Sequence, residues 1–387
     1  MSSKKSLNIA ILLDETLSYD REVVVGFTKF FTQFPNYSSY LIPPSYLNHD
    51  TKNRWLHKLK NWNPDGVIFR TFANWQILTS LNVPLIAAPY YSLIDDLPNL
   101  KGDDEEIAKM AFVYFCKKGF SNYAFFGDQK LYWSLIRQQT FKTCVENSKF
   151  NYLAIPDNIS ELAWHKQPEV IAKWLKEQPY PLAIYAATDN FARIIVESIR
   201  IAGLTCPYQI AILGTDNDVS ICESCTPRLS SIDQNAEYAG YEAAKHLHKL
   251  IGGEQIPIKN ISVPPKCVVE RKSTDVISIT DVHVSKAIQF IEQNAILRNI
   301  NVNDVLSAVC CSRRLLETRF QELIQSSIYT YIKRVRIKHI KHLLLNTNLS
   351  IKEIAIHLDF SNIDNISRYF ARETEMSPLE FRKKFKV

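Results

Sequence analysis

Over residues 7–272 the sequence alternates between short continuous apolar runs and longer stretches whose apolar residues recur at helical spacing. Continuous runs of this kind are typical of parallel strands that are buried on both faces. Their alternation with helices predicts an α/β protein with doubly wound parallel sheets, and the length of the segment suits two lobes. The predicted strands are Leu7–Leu13, Gly66–Phe69, Leu85–Ala88, Tyr123–Phe126, Leu182–Ala186 and Ile210–Gly214, and the predicted helices are Glu22–Phe34, Glu105–Lys118, Ser134–Asn147, Pro168–Lys176 and Phe191–Ala202.

From residue 282 onward the pattern is entirely helical, with no glycine and a single proline, Pro378. This segment contains a near-repeat, in which Val302–Val309 matches Ile351–Leu358 at an offset of 49 residues. Each copy predicts a helix, a tight turn and a second helix that begins near a serine. Two helix-turn-helix units in one small segment predict an all-α DNA-binding domain.

A long helix is predicted between the two units, over Ile328–Leu345. At about 1.5 Å per residue this helix is about 27 Å long. Adjacent major grooves on one face of DNA are about 34 Å apart, so one chain can present two recognition helices to tandem half-sites of double-stranded DNA. The predicted core positions of the two units correspond at an offset of about 50 residues and are Leu316, Phe320, Ile366 and Phe370.

The distribution of charge agrees with this division of the chain. The 387 residues include 46 Lys and Arg against 40 Asp and Glu, which gives a formal net charge of +6. Residues 1–280 hold 29 side chains of each sign, whereas residues 281–387 hold 17 basic and 11 acidic ones. A neutral large segment joined to a small basic one predicts a body that carries a polyanion-binding module.

Several classes of protein are excluded by what the sequence lacks. Neither GxGxxG nor GxxxxGK[ST] occurs, which argues against a dinucleotide-dependent enzyme and a P-loop NTPase. No early apolar stretch is long enough for a signal peptide or a membrane span, so we expect a soluble cytoplasmic protein that does not contact membranes. The pair Cys222 and Cys225 has no second pair at zinc spacing, so we expect reduced thiols, no metal and no cofactor.

Charged residues follow three of the predicted strands. Asp20 and Arg21 come after the first strand, Asp189 after Leu182–Ala186, and Asp216 after Ile210–Gly214. The carboxyl ends of parallel strands converge at a crevice, where carboxylates and Arg can hydrogen-bond the hydroxyls of a sugar. Two alternatives remain open: Asp189 could cap the helix that follows it, and Asp20 and Arg21 could form a salt bridge between lobes.

In the basic segment, the side chains just past the start of each second helix are the candidates for base contact. Arg is the usual reader of guanine, and Glu can accept a hydrogen bond from cytosine. The alternative for a helical Arg is a solvated position or a phosphate contact, which we expect for Arg319. The candidates are Arg313, Arg314, Glu317, Thr318 and Arg319 in the first unit, and Ile363, Asp364, Ser367 and Arg368 in the second.

The C-terminal 107 residues resemble the AraC/XylS family of transcription activators. The resemblance is carried by Leu349–Ala355, Asp359–Ser361, Ser367–Phe370 and Ser377–Arg382. It implies DNA binding and an RNA polymerase partner. Asp359 and Glu375 stand where the family usually has glycine, and we expect the turn to survive because Asp tolerates left-handed backbone.

The preceding part resembles the sensor of the LacI/GalR regulators, which has the two-lobed periplasmic-binding-protein fold. The matching segments are Tyr19–Arg21, Thr188-Asp189, Gly214–Asn217, Ser231–Gln234 and Glu237–Gly240. The resemblance implies sugar contacts from Thr188, Arg137 and Gln234, and Trp133 is a candidate for stacking on the sugar, with burial in the core as its alternative. Those regulators carry a DNA-binding headpiece before the sensor, whereas this sequence places its DNA-binding units after it.

A LacI-like sensor followed by an AraC-like DNA-binding domain resembles the bacterial xylose operon regulators. This implies a homodimer and D-xylose as the effector. The chain departs from these regulators around Lys101–Glu106 and at Tyr90-Tyr91, near the expected cleft. We predict a sensor over residues 1–272, a linker over 273–281 and a DNA-binding domain over 282–387.

Two other classes of function stay open at this stage. A regulator of the same architecture could respond to a different sugar or to no small molecule. A sugar-active enzyme could use paired carboxylates as acid and base, although the sequence shows no Ser/His/Asp set or metal cluster.

Overall fold

The computed structural model describes residues 6–42, 54–156, 159, 161–254, 260–276, 281–324, 326–360 and 362–385. The chain divides into two compact units, Met1–Ile277 and Ser278–Val387, which we call the sensor unit and the reader unit. Residues 277–280 of the predicted linker lie outside the described residues, so the linker and both domain limits stay predictions.

The sensor unit is built from twelve strands and eight helices among its described residues. The strands are β1 Leu7–Leu12, β2 Tyr37–Leu41, β3 Gly66–Arg70, β4 Leu85–Ala88, β5 Leu100–Gly102, β6 Asn122–Phe126, β7 Asn151–Tyr152, β8 Leu182–Ala186, β9 Ile210–Thr215, β10 Ser230–Asp233, β11 Ile261–Val263 and β12 Cys267–Val269. The helices are α1 Ser18–Phe31, α2 Arg54–Trp62, α3 Asp104–Lys117, α4 Tyr132–Asn147, α5 Gln167–Lys176, α6 Asp189–Ala202, α7 Val219–Ser224 and α8 Ala236–Ile251.

Two parallel sheets form the two lobes of the sensor unit. The first lobe has the strand order β2-β1-β3-β4, and a bridge between Ala87 and Asn99 continues it toward the parallel pair β5 and β11. The second lobe has the order β12-β10-β9-β8-β6-β7, in which only β12 is antiparallel to its neighbour. The prediction of an α/β protein with doubly wound parallel sheets is therefore confirmed.

The chain passes between the lobes three times, after β5, before α8 and between β11 and β12. The helix α8 packs on α1 in the first lobe, where both belong to one apolar core with β1, β3 and β4. Strands β8 and β9 of the second lobe have their carboxyl ends near these crossings, and so does β3 of the first lobe. Side chains that follow those strands are therefore brought to the boundary between the lobes.

The reader unit is all helical in its described residues. Its helices are α9 Val282–Asn294, α10 Val302–Val309, α11 Arg313–Ile324, α12 Ile328–Asn346, α13 Ile351–His357, α14 Ile363–Thr374 and α15 Pro378–Phe385. The pairs α10–α11 and α13–α14 are the two helix-turn-helix units, and α12 joins them. The four predicted core positions Leu316, Phe320, Ile366 and Phe370 are buried, which confirms that prediction.

Candidate functional site

A cavity of about 430 Å³ lies between the two lobes of the sensor unit. The first lobe contributes Arg70 at the end of β3, residues of β5, and residues after β1 and β4. The second lobe contributes residues from α3, α4 and α6 and from the loops after β6 and β9. The charged lining side chains are Arg70, Lys101, Asp104, Asp128, Lys130, Arg137, Asp216 and Asp218, and the aromatic ones are Tyr19, Tyr90, Tyr91, Tyr132, Trp133 and Phe191.

Arg137, on α4, is the centre of the polar wall of this cavity. Its Nε donates to Asp104 Oδ1 at 2.9 Å, its Nη1 to the carbonyl oxygen of Ala187 at 2.7 Å, and its Nη2 to Gln234 Oε1 at 2.9 Å. Only 3% of the residue is exposed. A buried guanidinium with partners on three elements is held in one orientation, so it presents a fixed polar surface to the cavity.

Asp104 has one oxygen without a partner among the described groups. Its Oδ1 accepts from Arg137, whereas its buried Oδ2 has no hydrogen-bond partner. Burial raises the pKa of Asp104, and the charge of Arg137 opposes that shift. A buried acceptor that lines a cavity and has no partner is an obvious place for a ligand hydroxyl to donate.

Asp216 and Gln234 continue the same polar wall. Gln234 Nε2 donates to Asp216 Oδ1, so Gln234 joins Arg137 on one side to Asp216 on the other. Burial raises the pKa of Asp216 to about 7, against the charge of Arg137. The backbone of Asp216 has φ 107°, a left-handed conformation that costs energy outside glycine.

Arg70, at the end of β3, faces this wall from the first lobe. Its Nε donates to Asp20 Oδ2 at 3.0 Å and its Nη2 donates to Asp20 Oδ1, while its Nη1 donates to the carbonyl oxygens of Ala88 and Pro89. Asp20 is fully buried and also accepts from the backbone N–H of Asp14 at 2.9 Å. Asp20 thus lies behind Arg70 and outside the cavity lining.

Arg21 makes a salt bridge between the lobes. Its Nη2 donates to Asp218 Oδ2 at 2.7 Å, and its Nη1 donates to the carbonyl oxygens of Glu15 and Thr16. Asp218 Oδ1 caps α7 by accepting from the N–H groups of Ser220 and Ile221. The structure thus gives Arg21 the salt-bridge arrangement that the sequence left open as an alternative.

Asp189 holds the loops beneath the cavity. Its Oδ2 accepts from the backbone N–H of Asp218 at 2.7 Å and its Oδ1 accepts from Ser231 Oγ at 2.6 Å. The cap of α6 is Thr188, whose side chain accepts from the N–H of Phe191. Thr188 lines the cavity, whereas Asp189 contacts Ser231 in β10 and the loop that carries Asp216 and Asp218.

Three aromatic rings form an apolar wall. Trp133 lies 5.0 Å from the Arg137 guanidinium carbon, measured to the ring centroid. Tyr90 meets Trp133 edge-to-face at 6.4 Å and Tyr91 at 5.1 Å. A flat aromatic surface beside ordered donors and acceptors suits a ligand with one apolar face and a rim of hydroxyls.

The charges of the central groups are balanced within the site. Arg137 is paired with Asp104, and Arg70 is paired with Asp20. No group of three or more His, Cys, Asp or Glu among the described residues is placed to hold a metal ion. The arrangement therefore offers paired hydrogen-bonding groups to a neutral polar ligand.

In the reader unit, the predicted base-contacting residues lie on the exposed faces of α11 and α14, with two partly buried exceptions, Arg319 and Ser367. Arg313 Nε donates to Glu317 Oε1 at 2.9 Å within α11. Arg319 donates to Asp281 Oδ2 at 2.7 Å, which fixes it toward α9. In α14, Arg368 donates to Asn365 Oδ1 at 3.3 Å. These placements leave the base-contact assignments as predictions.

Sequence reasoning did not single out Arg70 and Asp104. Arg70 directly follows the predicted strand Gly66–Phe69, so the strand-end rule could have found it. Asp104 lies in Lys101–Glu106, the stretch where the sequence departs from the xylose operon regulators. Both pair with residues that the sequence did single out, Asp20 and Arg137.

Comparison with known proteins supports both units. A periplasmic binding protein-like domain model matches residues 112–274, and a helix-turn-helix domain model matches residues 305–384. No helix in the described part of the chain is long and apolar enough to span a membrane.

The whole chain is similar to proteins of one kind. It is 30% identical to the xylose operon regulatory protein of Escherichia coli (strain K12), over 98% of this chain and 97% of that one. The protein of the same name from Haemophilus influenzae (strain ATCC 51907 / DSM 11121 / KW20 / Rd) is 31% identical over 97% of each chain. A solved structure of the xylose-binding transcription activator xylR has a TM-score of 0.76 and 27% identity, covering 99% of this chain and 100% of that chain. The chain therefore belongs to the family of the xylose operon regulatory proteins and is a transcription regulator.

Proposed function

We propose that the chain is a transcription activator controlled by D-xylose, which binds in the cavity between the lobes of the sensor unit. The observation that carries this proposal is a continuous row of hydrogen-bonded polar groups formed by the buried Asp104, Arg137 and Gln234 and the half-buried Asp216. Arg70 lines the same cavity from the first lobe. The related regulators of the xylose operon, one of them xylose-binding, support this choice of sugar.

A neutral polyol fits the site better than a charged ligand does. An anion would compete with Asp104 for Arg137, and a cation would compete with Arg137 for Asp104. A sugar hydroxyl donates and accepts at once, so it can bind the free Oδ2 of Asp104 without displacing its partner. The ring of Trp133 suits the C–H face of a pyranose.

The sequence-predicted residues take two roles in this proposal. Trp133, Arg137, Thr188, Asp216 and Gln234 contact the sugar, together with Arg70 and Asp104. The other three predicted residues do not contact the sugar and instead position neighbouring side chains. Asp20 holds Arg70, Arg21 holds Asp218, and Asp189 holds Ser231.

Calorimetric titration of the full chain with D-xylose, L-arabinose, D-ribose and D-glucose tests this proposal. We expect D-xylose to bind tightest, and Asp216→Asn to weaken it by about 10- to 100-fold, as for a lost charged hydrogen bond. Asp95→Asn, which changes an exposed carboxylate outside the cavity, is the matched control. Unchanged affinity in Asp216→Asn rules out the assigned site, and absence of binding by all four sugars rules out the effector class.

The reader unit is proposed to bind tandem half-sites through α11 and α14. The chain acts as a cytoplasmic homodimer that recruits RNA polymerase, and closure of the lobes around the sugar repositions the paired reader units. The sugar can shift this equilibrium only by the difference in its affinity for the two states. Sedimentation with and without D-xylose, followed by transcription from a selected binding site, tests the dimer and the activation separately.

The chain is not expected to be an enzyme. Its named relatives are transcription regulators. Incubation with each pentose should return the sugar unchanged, and any turnover that Asp216→Asn abolishes would contradict this expectation.

A further inference from the structure

The connecting helix α12 carries a buried arginine, Arg336, whose guanidinium donates hydrogen bonds to backbone carbonyl groups. Arg336 lies near the middle of α12 and is 2% exposed. No salt bridge of Arg336 occurs among the described residues. The charge of the Asp359 carboxylate acts on Arg336 without a salt bridge, so the buried cation needs a further source of negative potential.

Backbone carbonyl groups at two helix ends supply that potential. Arg336 Nη1 donates to the carbonyl oxygens of Ala295 and Arg298, at 3.2 and 2.6 Å, just past the end of α9. Arg336 Nη2 donates to the carbonyl oxygen of Leu358 at 2.8 Å, at the end of α13. The carboxyl end of a helix carries partial negative charge, so both ends attract the guanidinium.

The two helix ends belong to opposite halves of the reader unit. α9 packs against α10 and α11, the first helix-turn-helix unit, whereas α13 is the first helix of the second. Leu358 directly precedes Asp359, whose left-handed backbone (φ 57°) makes the turn of the second unit. The Phe360 ring, in that same turn, lies 4.7 Å from the guanidinium carbon of Arg336.

We propose that Arg336 is a positioning residue that fixes the spacing and relative orientation of the two recognition helices, and hence the half-site spacing that the chain accepts. This inference rests on the proposed DNA-binding function. When two units are rigidly joined, the second unit binds its half-site as an intramolecular event, and this raises the overall affinity for DNA. That gain in affinity is lost when the spacing of the half-sites is wrong.

Lysine cannot replace Arg336 in this role. The guanidinium is planar, donates to three carbonyl groups on two sides and stacks on Phe360. Lysine keeps the charge but offers a compact ammonium that cannot reach both helix ends and stack on the ring at once. Arg336→Lys therefore removes the connection between the two helix ends and leaves the net charge unchanged.

The test measures how DNA affinity depends on half-site spacing. The probe is a duplex that the wild-type full chain selects from a random pool, together with a duplex whose half-sites are moved apart by about half a helical turn, about five base pairs. A third duplex has one half-site scrambled. The wild type is expected to lose affinity by on the order of a hundredfold when the spacing changes.

Arg336→Lys is expected to reduce that spacing penalty to less than about threefold, while its affinity for the single half-site stays within about twofold of wild type. Arg334→Lys, an exposed position on the same helix, is the matched control and should keep the full penalty. Phe360→Leu removes the stacking surface and leaves the three hydrogen bonds in place, so its penalty should lie between those of wild type and Arg336→Lys.

The outcomes separate the two proposals. A wild-type chain that selects no sequence contradicts the proposed DNA-binding function itself. A wild type with one preferred spacing, together with unchanged spacing penalties in both Arg336→Lys and Phe360→Leu, overturns the role of Arg336. The same role is overturned if Arg336→Lys loses single half-site affinity as much as tandem affinity, since Arg336 would then stabilise each unit separately.

Discussion

At the scale of single residues, three carboxylates at one edge of the second-lobe sheet have different partners and therefore different pKa values. Burial raises the pKa of Asp216 to about 7, and burial, followed by the charge of Asp216, raises that of Asp189. Burial also raises the pKa of Asp218, but hydrogen bonds from Ser220 and Arg21 outweigh it and bring the pKa below its ordinary value. Asp218 is therefore ionised at a lower pH than Asp189 and Asp216.

This difference makes the stability of the sugar-free protein depend on pH. The folded-state pKa of Asp216 is about 7 and its ordinary value is 3.8, so folding favours the protonated form. The stabilisation is complete below about pH 4 and is lost as the pH rises through about 7. Asp216→Asn removes this loss, so its melting temperature should rise relative to wild type by a few degrees between pH 5 and pH 8.

Thermal melts of the sugar-free chain at several pH values check that expectation. The exposed Asp95→Asn should keep a constant difference from wild type over the same range. If the melting temperatures of wild type and Asp216→Asn change with pH by the same amount, the raised pKa of Asp216 is contradicted.

The strand-end rule predicted part of the site and missed the rest for a physical reason. Of the residues that this rule named, Asp216 lines the cavity, whereas Asp20, Arg21 and Asp189 lie outside its lining. Asp104 follows a short strand, β5, whose three residues leave no pattern in the sequence. Long-range pairing such as that of Arg70 with Asp20, fifty residues apart, is also invisible to local patterns.

At the scale of elements, the two helix-turn-helix units repeat the same local devices. Asn301 with Asp304 and Ser350 with Glu353 form capping boxes at the start of α10 and α13. Phe320 meets Tyr331 edge-to-face at 5.5 Å, and the corresponding Phe370 meets Phe381 at 5.4 Å. The near-repeat in the sequence is therefore a repeat in structure.

The turns survive without glycine, as predicted. Cys310 and Asp359 correspond in the two units, and both have left-handed backbone, with φ of 56° and 57°. Glu375, the other position where glycine is usual, has φ 59°. The strands that the sequence did not predict, such as β2, β7 and β12, are short or lie at sheet edges, where no continuous apolar run is required.

The packing of α1 on α8 depends on two glycines. A Cβ at Gly26 would lie 1.7 Å from the carbonyl oxygen of Glu237, and one at Gly240 would lie 2.1 Å from that of Val23. Both obstacles are backbone atoms, so the helices would have to separate. Gly26→Ala is expected to lower the free energy of unfolding of the sensor unit by about 1–3 kcal/mol, as for overpacking of a core.

Denaturant unfolding measures this effect. Gly252→Ala is the matched control, since its Cβ meets nothing closer than the carbonyl oxygen of Lys249 at 3.3 Å and its φ is –69°. Equal stability of the two variants would show that α1 and α8 can separate without cost.

At the scale of the whole molecule, the excess positive charge belongs to the C-terminal 107 residues, with 17 basic against 11 acidic side chains. DNA binding that neutralises about six phosphates should weaken by on the order of 10³-fold between 50 and 200 mM salt. Fluorescence anisotropy of a labelled duplex over a salt series checks this. Affinity that is independent of salt would contradict a role for the basic residues.

The salt bridge of Arg21 with Asp218 joins the lobes at the edge of the cavity, where Asp218 belongs to the lining and the Arg21 side chain is 43% exposed. Dissolved ions reach that bridge even when a neutral molecule fills the cavity beside it. The affinity for an uncharged sugar should therefore fall as ionic strength rises, by about fivefold, since an ion pair whose cation is exposed contributes about 1 kcal/mol. Arg21→Gln should make sugar binding insensitive to salt. The osmotic state of the cell would then adjust how much sugar is needed to switch the regulator.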